Sequence, residues 1–200
     1  MKSLPLNRYV LFFVIAALGC AADLLSKYWV FQWRGMTGAR PVWWIWEGYF
    51  GIETTTNPGG LFGMGGGTFL GVDGAIWFAG LSLLAGVGVL IWLFVAGAAR
   101  DLLLTVALAC VTAGIFGNLY DRLGLWAPPG QPEVRINEVR DWILFCYFDS
   151  QNERHEWPNF NLADCLLVSG AGLLLWHAYV QERRASAARK AIVQGANDMR

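Results

Sequence analysis

The sequence predicts an all-α membrane protein built on four transmembrane helices. Three observations carry that fold class. Of 200 residues, 56% are hydrophobic and only 15% are charged, where a soluble domain of this length carries about a quarter charged. The charges are unevenly spread, leaving four stretches of about 20 residues almost free of them, the length that crosses a hydrocarbon core of about 30 Å. Most of the 11 Trp residues gather at one edge of those stretches, where amphipathic rings suit the headgroup layer.

The first span covers about residues 9–31 and follows Lys2 and Arg8. Its opening, MKSLPLNRYVLFFVIAALGC, has the basic start, apolar stretch and small residue before Cys20 of a cleavable lipoprotein signal. The chain stays apolar after Cys20, through AADLLSKYWVF, so the segment reads as a retained anchor. The second span, about 69–96, is joined to the third, about 102–120, by a tight turn holding Arg100. The fourth, about 160–179, reads FNLADCLLVSGAGLLLW at its start and leads into a solvated tail, about 182–200. One compact domain, residues 1–200, accommodates all of this.

Lys and Arg before the first span, at Arg100, and at Arg183, Arg184, Arg189 and Lys190 fall on one side in a four-span plan. That side is expected to be cytoplasmic, with both termini on it. The long connections, about 32–68 and 121–159, are then outer loops. Trp29, Trp33, Trp43, Trp44, Trp46, Trp126, Trp142 and Trp157 fall at this outer edge, so the loops are expected to lie against membrane lipid. A net charge of zero gives no reason to expect a nucleic-acid partner.

The polar residues of the spans converge on the outer edge. Asp23 and Lys27 lie about 20–27 Å along the first helix from Tyr9, four apart and therefore on one face. A charge inside a span costs at least about 2.5 kcal/mol. The third span ends in GIFGNLYDRL, with Asn118 and Asp121 on one face and Arg122 beside them. Asp121 closes a helix where the dipole disfavours an acid, so it needs a partner, Arg122 or Lys27. The fourth span opens with Asn161 and Asp164, which alone read as an ordinary cap. Gly114 and Gly117, and Gly170 and Gly172, favour close helix approach, which would bring the two N-x-x-D faces together. A further acid, Asp141, heads the short segment EVRDWILFCYF, suited to the interface; its plain reading is a cap on a surface helix. The residues alone do not rank Asp121 against Asp141 as the partner of Asp164.

Several chemistries fall away. His155 and His177 are the only histidines, and His177 is far from the acids, which argues against a zinc site and against a Ser–His or Cys–His nucleophile. The Gly-rich TTTNPGGLFGMGGGTFLG has no Lys for a phosphate loop. Asn57 within it either hydrogen-bonds a substrate backbone or holds a turn. Cys20, Cys110 and Cys165 lie in spans, and Cys146 has no partner for a bridge. A transporter would want polar residues spread through the bilayer, and the inner halves of these spans are almost wholly apolar. A docking platform would tolerate loss of its acids. What remains is carboxylates in a partly dry site, where two neighbours share a proton. The ionised one takes a proton from attacking water and the protonated one donates to the oxyanion. That is aspartic-protease chemistry without a cofactor.

These residues resemble the lipoprotein signal peptidase, or signal peptidase II, family over almost the whole chain. The matching pieces, in order, are Asp23 and Lys27; Asn57, Gly59, Phe62 and Gly63; Gly117, Asn118, Asp121 and Arg122; Val139 and Asp141; and Phe160, Asn161, Ala163 and Asp164. The resemblance implies four transmembrane helices, an extracytoplasmic β-rich cradle and a small interfacial helix. It implies an endopeptidase of the bacterial inner membrane that removes signal peptides from diacylglyceryl-modified prolipoproteins, cutting before the lipidated Cys, and a monomer is expected. By resemblance Asp141 and Asp164 are the catalytic pair. Asp23, Lys27, Asn57, Gly59, Asn118, Asp121, Arg122 and Asn161 become substrate-binding or supporting residues. The chain departs from the family in longer stretches at about 123–138 and 146–158, in Ala113 where Gly is common, and in Arg140 where an apolar residue is usual. Arg140 is expected to lower the pKa of Asp141, and the longer loops make Asp149 a rival for its role.

Overall fold

The computed structural model describes residues 5–59, 68–69 and 72–198. It is mostly helical. Helix α1 (Leu6–Arg34) starts after Pro5 and stops at Gly35, whose φ of 83° breaks the helix while its N–H still reaches the Phe31 carbonyl. Strands β1 (Trp43–Trp46) and β2 (Phe50–Asn57) follow, then a minimal hairpin of β3 (Thr68–Phe69) and β4 (Val72–Asp73). Helix α2 (Gly74–Phe94) is joined to α3 (Leu102–Arg122) through a turn at Ala98–Arg100, and Asp101 caps α3 by accepting from the Leu104 N–H at 3.0 Å. Strands β5 (Val139–Phe148) and β6 (Arg154–Phe160) precede α4 (Leu162–Asp198).

All four helices are long and apolar enough to cross a membrane. The expected second span begins late, because residues around 68–73 pair as the small hairpin and α2 starts only at Gly74. The expected tail is a continuation of α4, since QERRASAARKAIVQ is rich in strong helix formers. Helix α3 is central, with most of its apolar window buried, whereas α1, α2 and α4 turn most of theirs outward. This is the economy of a bundle in lipid, where outward Leu and Val need no protein cover. At one end Phe12, Leu93, Leu108, Ala99 and Ala109 form the apolar core, and Tyr9 stacks on Phe94 with centroids 5.0 Å apart.

Small residues let α3 and α4 touch. A Cβ at Gly170 would sit 2.6 Å from Val111 Cγ2 and 2.8 Å from the Ala107 carbonyl, and one at Gly114 would strike the Ala163 carbonyl and Leu167. Gly172 differs from the expectation: nothing lies near its missing Cβ, because it faces away from the seam.

The sheet is antiparallel in the order β1-β2-β5-β6. The segment headed by Asp141 is therefore a strand and not a surface helix. Its run of Val, Ile, Phe, Tyr and Trp favours strand, and it finds ladder partners on both sides. Thr55 pairs with Asp141 and Ile52 with Ile143, so the extra residue of the irregularity lies on β2 while β5 stays regular. No interfacial helix occurs among the described residues, and the motif positions Phe62 and Gly63 lie outside them.

Candidate active site

Each element delivers its polar residues to one end of the bundle. On α1, the i, i+4 spacing stacks Asp23 and Lys27, and their charged atoms stand 2.7 Å apart with both side chains fully buried. Lys27 also lies 3.3 Å from Asp121 Oδ2 and donates to Asn118 Oδ1 at 2.9 Å. Both partners come from α3, whose i, i+3 spacing puts Asn118 and Asp121 on the face toward α1 and α4. Gly117, one position earlier, is the gap through which Asp23 approaches, since a Cβ there would strike the Asp23 carboxylate. Asp23 Oδ1 then accepts the Ala163 N–H of the first α4 turn at 2.9 Å.

The start of α4 is both a cap and a site. Asn161 Oδ1 accepts the Asp164 N–H at 3.0 Å, and Asp164 Oδ2 accepts the Asn161 N–H at 3.1 Å. This reciprocal pairing follows the logic of a capping box, with the acid at the positive end of the dipole. Each side chain has an atom to spare. Asp164 Oδ1 accepts from Asn118 Nδ2 at 2.9 Å, and Asn161 Nδ2 donates to Asp141 Oδ1 at 2.6 Å. Asn161 also reaches Asn118 Oδ1 at 3.1 Å. The two asparagines thus tie α3, α4 and β5 into one network.

On β5, alternation sends Arg140 and Asp141 to opposite faces. Asp141 turns toward Asn161 and toward Asn57, whose Nδ2 stands 3.4 Å from its Oδ2. The other end of the Asn57 amide accepts the Gly59 N–H at 3.0 Å, so Asn57 holds its turn as well as reaching the acid. Gly59 sits at a φ of 122° with its missing Cβ against Phe78, which is where a side chain would both strain and clash. Arg140 turns the other way and grips Asp121, with Nη2 2.7 Å from Oδ1. The expectation that Arg140 lowers the pKa of Asp141 is therefore overturned. The Asp141 carboxyl is pushed up to about 7, first by burial and then by the neighbouring charge of Asp164.

Asp121 finds Lys27 and Arg140 as partners rather than Arg122. Arg122 instead lies within electrostatic reach of Asp164, Asp141 and Asp121, its guanidinium 5.5 Å from the Phe78 ring centroid and its Nε without a hydrogen-bond partner. Asp149 lies in the β5–β6 turn, caps that turn through Gln151 and Glu153, and meets His155 at 2.8 Å; it is not part of the cluster. His177 is likewise elsewhere, 3.3 Å from Asp101 at the opposite end of α3. Trp126 was not among the anticipated site residues. It is buried on Phe31, with ring centroids 5.7 Å apart, and under the Arg140 guanidinium, docking the long 123–138 stretch behind β5.

The cluster holds four carboxylates, Asp23, Asp121, Asp141 and Asp164, against three cations, Lys27, Arg122 and Arg140. Four minus three leaves one negative charge, so a single proton on the acids makes the site neutral. Uncompensated charge at this depth is expensive, and burial together with Asp164 favours Asp141 as the group that keeps the proton. Asp141 is only 2% exposed, while Asp164 and Asn57 are half-buried, so the pair is open to a ligand on their side. A buried carboxyl pushed up to about 7 beside a second carboxyl, both held by amides, is an arrangement suited to activating water.

Four spanning helices with this acid cluster at one end define a multi-pass membrane enzyme. The model of the signal peptidase (SPase) II family matches residues 15–180, and the chain belongs to that family of signal peptidase II hydrolases. The lipoprotein signal peptidase of Rhodopirellula baltica is 49% identical over 175 residues, covering 88% of this chain and 74% of its own. That of Syntrophus aciditrophicus is 30% identical over 166 residues, covering 83% and 90%. Among solved structures, a bacterial membrane enzyme determined by the in meso method superposes with a TM-score of 0.66 at 20% identity, covering 86% of this chain and 88% of that one. A second bacterial membrane enzyme determined by the same method gives 0.64 at 21% identity over 84% and 91%. These two likenesses concern the fold.

Proposed function

We propose that the chain is an aspartyl endopeptidase that removes signal peptides from diacylglyceryl-modified prolipoproteins, cutting before the lipidated Cys, with Asp141 and Asp164 as its catalytic pair. The observation that carries this reading is the shared network: Asn161 bonds Asp141, Asn118 bonds Asp164, and the two asparagines bond one another. Two acids so fixed, one with its carboxyl pushed up to about 7, support a division of labour. Asp164 takes a proton from the attacking water as the water oxygen bonds to the scissile carbonyl carbon. Asp141 gives its proton to the carbonyl oxygen. The tetrahedral intermediate collapses as the C–N bond breaks: the amine of the new Cys N-terminus leaves with the proton that Asp164 holds, and the gem-diol returns a proton to Asp141 as the new carboxyl forms. The buried, unpartnered Nε of Arg122, within electrostatic reach of both acids, and the half-buried Asn57 amide beside Asp141 suit the oxyanion and the substrate backbone. Asp23, Lys27 and Asp121 brace the helix ends, and Gly59 lets backbone pass closely.

A substrate with acyl chains in the bilayer has its scissile bond at headgroup depth, which suits a site at the helix ends. The distribution of Lys and Arg supports cytoplasmic termini and a site at the outer face of the bacterial inner membrane. The protein works as one domain, residues 1–200, and as a monomer in contact with membrane lipid. The test is cleavage of one prolipoprotein, prepared with and without its diacylglyceryl group, by the full chain in lipid nanodiscs. Cleavage of the lipidated form alone, lost in Asp141→Asn and in Asp164→Asn but only reduced in Asp121→Asn, is the expected result. Normal turnover by either of the first two variants would remove the assignment.

A further inference from the structure

Arg140 occupies a position that the chemistry proposed above does not use, yet it is heavily tethered beside the acid pair. It is 4% exposed and Asp121 is fully buried. Asp121 holds it twice. The Arg140 backbone N–H donates to Asp121 Oδ2 at 3.0 Å, and its Nε and Nη2 donate to Oδ1 at 3.1 and 2.7 Å. The carbonyl of the same residue is met by Asn161 Nδ2 at 3.4 Å. Both polar ends of the backbone at Arg140 are therefore fixed, one to α3 and one to α4. The guanidinium is covered by Trp126, 4.9 Å from the ring centroid, and the Trp126 indole N–H donates to the Glu138 carbonyl at 3.0 Å, two residues upstream. Asp141 is the next residue, and in a strand its side chain leaves on the opposite face. Fixing the backbone at Arg140 thus fixes where the Asp141 carboxyl can be.

We propose that Arg140 is a positioning residue that sets the placement of Asp141 against Asp164 by locking β5 onto the outer end of α3. This inference rests on the reading of Asp141 and Asp164 as the reacting pair. Arg140 never touches the reacting atoms. It acts through geometry, since Lys cannot reproduce the planar fork that spans Asp121.

Arg140→Lys and Arg140→Leu weaken this tether in two grades. With the full chain in nanodiscs and a lipidated prolipoprotein, kcat, KM and the pH profile of kcat are measured per folded molecule, alongside Asp141→Asn. Arg140→Lys keeps the charge and loses the fork, so kcat falls about tenfold with KM little changed and the pH profile in place. Arg140→Leu loses every hydrogen bond from the side chain to Asp121, so kcat falls on the order of a hundredfold. If both variants retain wild-type kcat and pH profile, even with a lowered Tm, Arg140 only stabilises the fold and the proposal is overturned. Should Arg140→Leu fail to fold, Arg140→Lys decides alone: wild-type kcat overturns the proposal and a fall in kcat with the profile in place upholds it. Turnover by Asp141→Asn would instead overturn the reading of the acid pair, whatever Arg140 does.

Discussion

Asp141 and Asp164 show how burial and a neighbour make one carboxyl differ from another. The Asp141 carboxyl, raised to about 7, holds a proton in the folded protein that the unfolded chain, with a carboxyl near 4, has already released. The folded state therefore binds more protons between those values, and stability falls as pH rises from about 4 to about 7. Asp141→Asn is expected to remove that slope and to raise Tm at alkaline pH while abolishing cleavage; thermal unfolding across pH measures it. An unchanged slope would mean that Asp141 does not carry the proton. Catalysis that needs the Asp141 proton declines through the same region near neutrality. Because part of the shift comes from the charge of Asp164, Asp164→Asn lowers the Asp141 titration, a change that infrared spectroscopy of the carboxyl reads directly. The proton belongs to a coupled pair, so the observed midpoints are those of the pair.

At the scale of elements, the helix seams and the docked loop carry the exact placement of these side chains. Gly170 has no room for a Cβ against Val111 and Ala107, so Gly170→Leu pushes α4 from α3 and costs roughly 1–3 kcal/mol. The same change at Gly172, where nothing lies within 4 Å, leaves stability nearly unaltered; paired unfolding measurements in one detergent distinguish the two. Trp126→Ala removes the contact with Phe31, the cover over Arg140 and a hydrogen bond to Glu138. A loss of roughly 3–5 kcal/mol is expected for a buried Trp, together with faster proteolysis within residues 123–138. Protection equal to wild type would show that the loop is held by something other than this ring.

For the whole molecule, α1 and α3 run toward the acid cluster while α4 runs away from it, as the contacts among Lys27, Asn118 and Asp164 require. The proposed orientation is checked by labelling. In a background lacking the native cysteines, Gln151→Cys in the β5–β6 turn is expected to react with an impermeant reagent from outside intact cells. Ala185→Cys on the extended part of α4 is expected to react only after the membrane is opened. The reverse pattern would invert the topology and detach the charge rule from this protein.

Much of the architecture was legible from composition and spacing. Four apolar stretches, the i, i+4 pair Asp23 and Lys27, and the i, i+3 pairs Asn118/Asp121 and Asn161/Asp164 all follow from a helix of 3.6 residues per turn in a solvent that tolerates few charges. Helix periodicity is local, so each face can be read without knowing its neighbour. The strand at Val139–Phe148 was not legible in this way. A short apolar, aromatic run has no periodicity that separates a surface helix from a strand, and only pairing with β2 and β6 decides it. Once it is a strand, Arg140 and Asp141 part to opposite faces. The cation then serves Asp121 and the acid joins Asn161. Spacing along the chain was enough to say which residues gather at one end of the spans. The tertiary structure alone decided which of them meet, because partners drawn from α1, α3, α4 and β5 are set by packing across the chain and not by spacing along it.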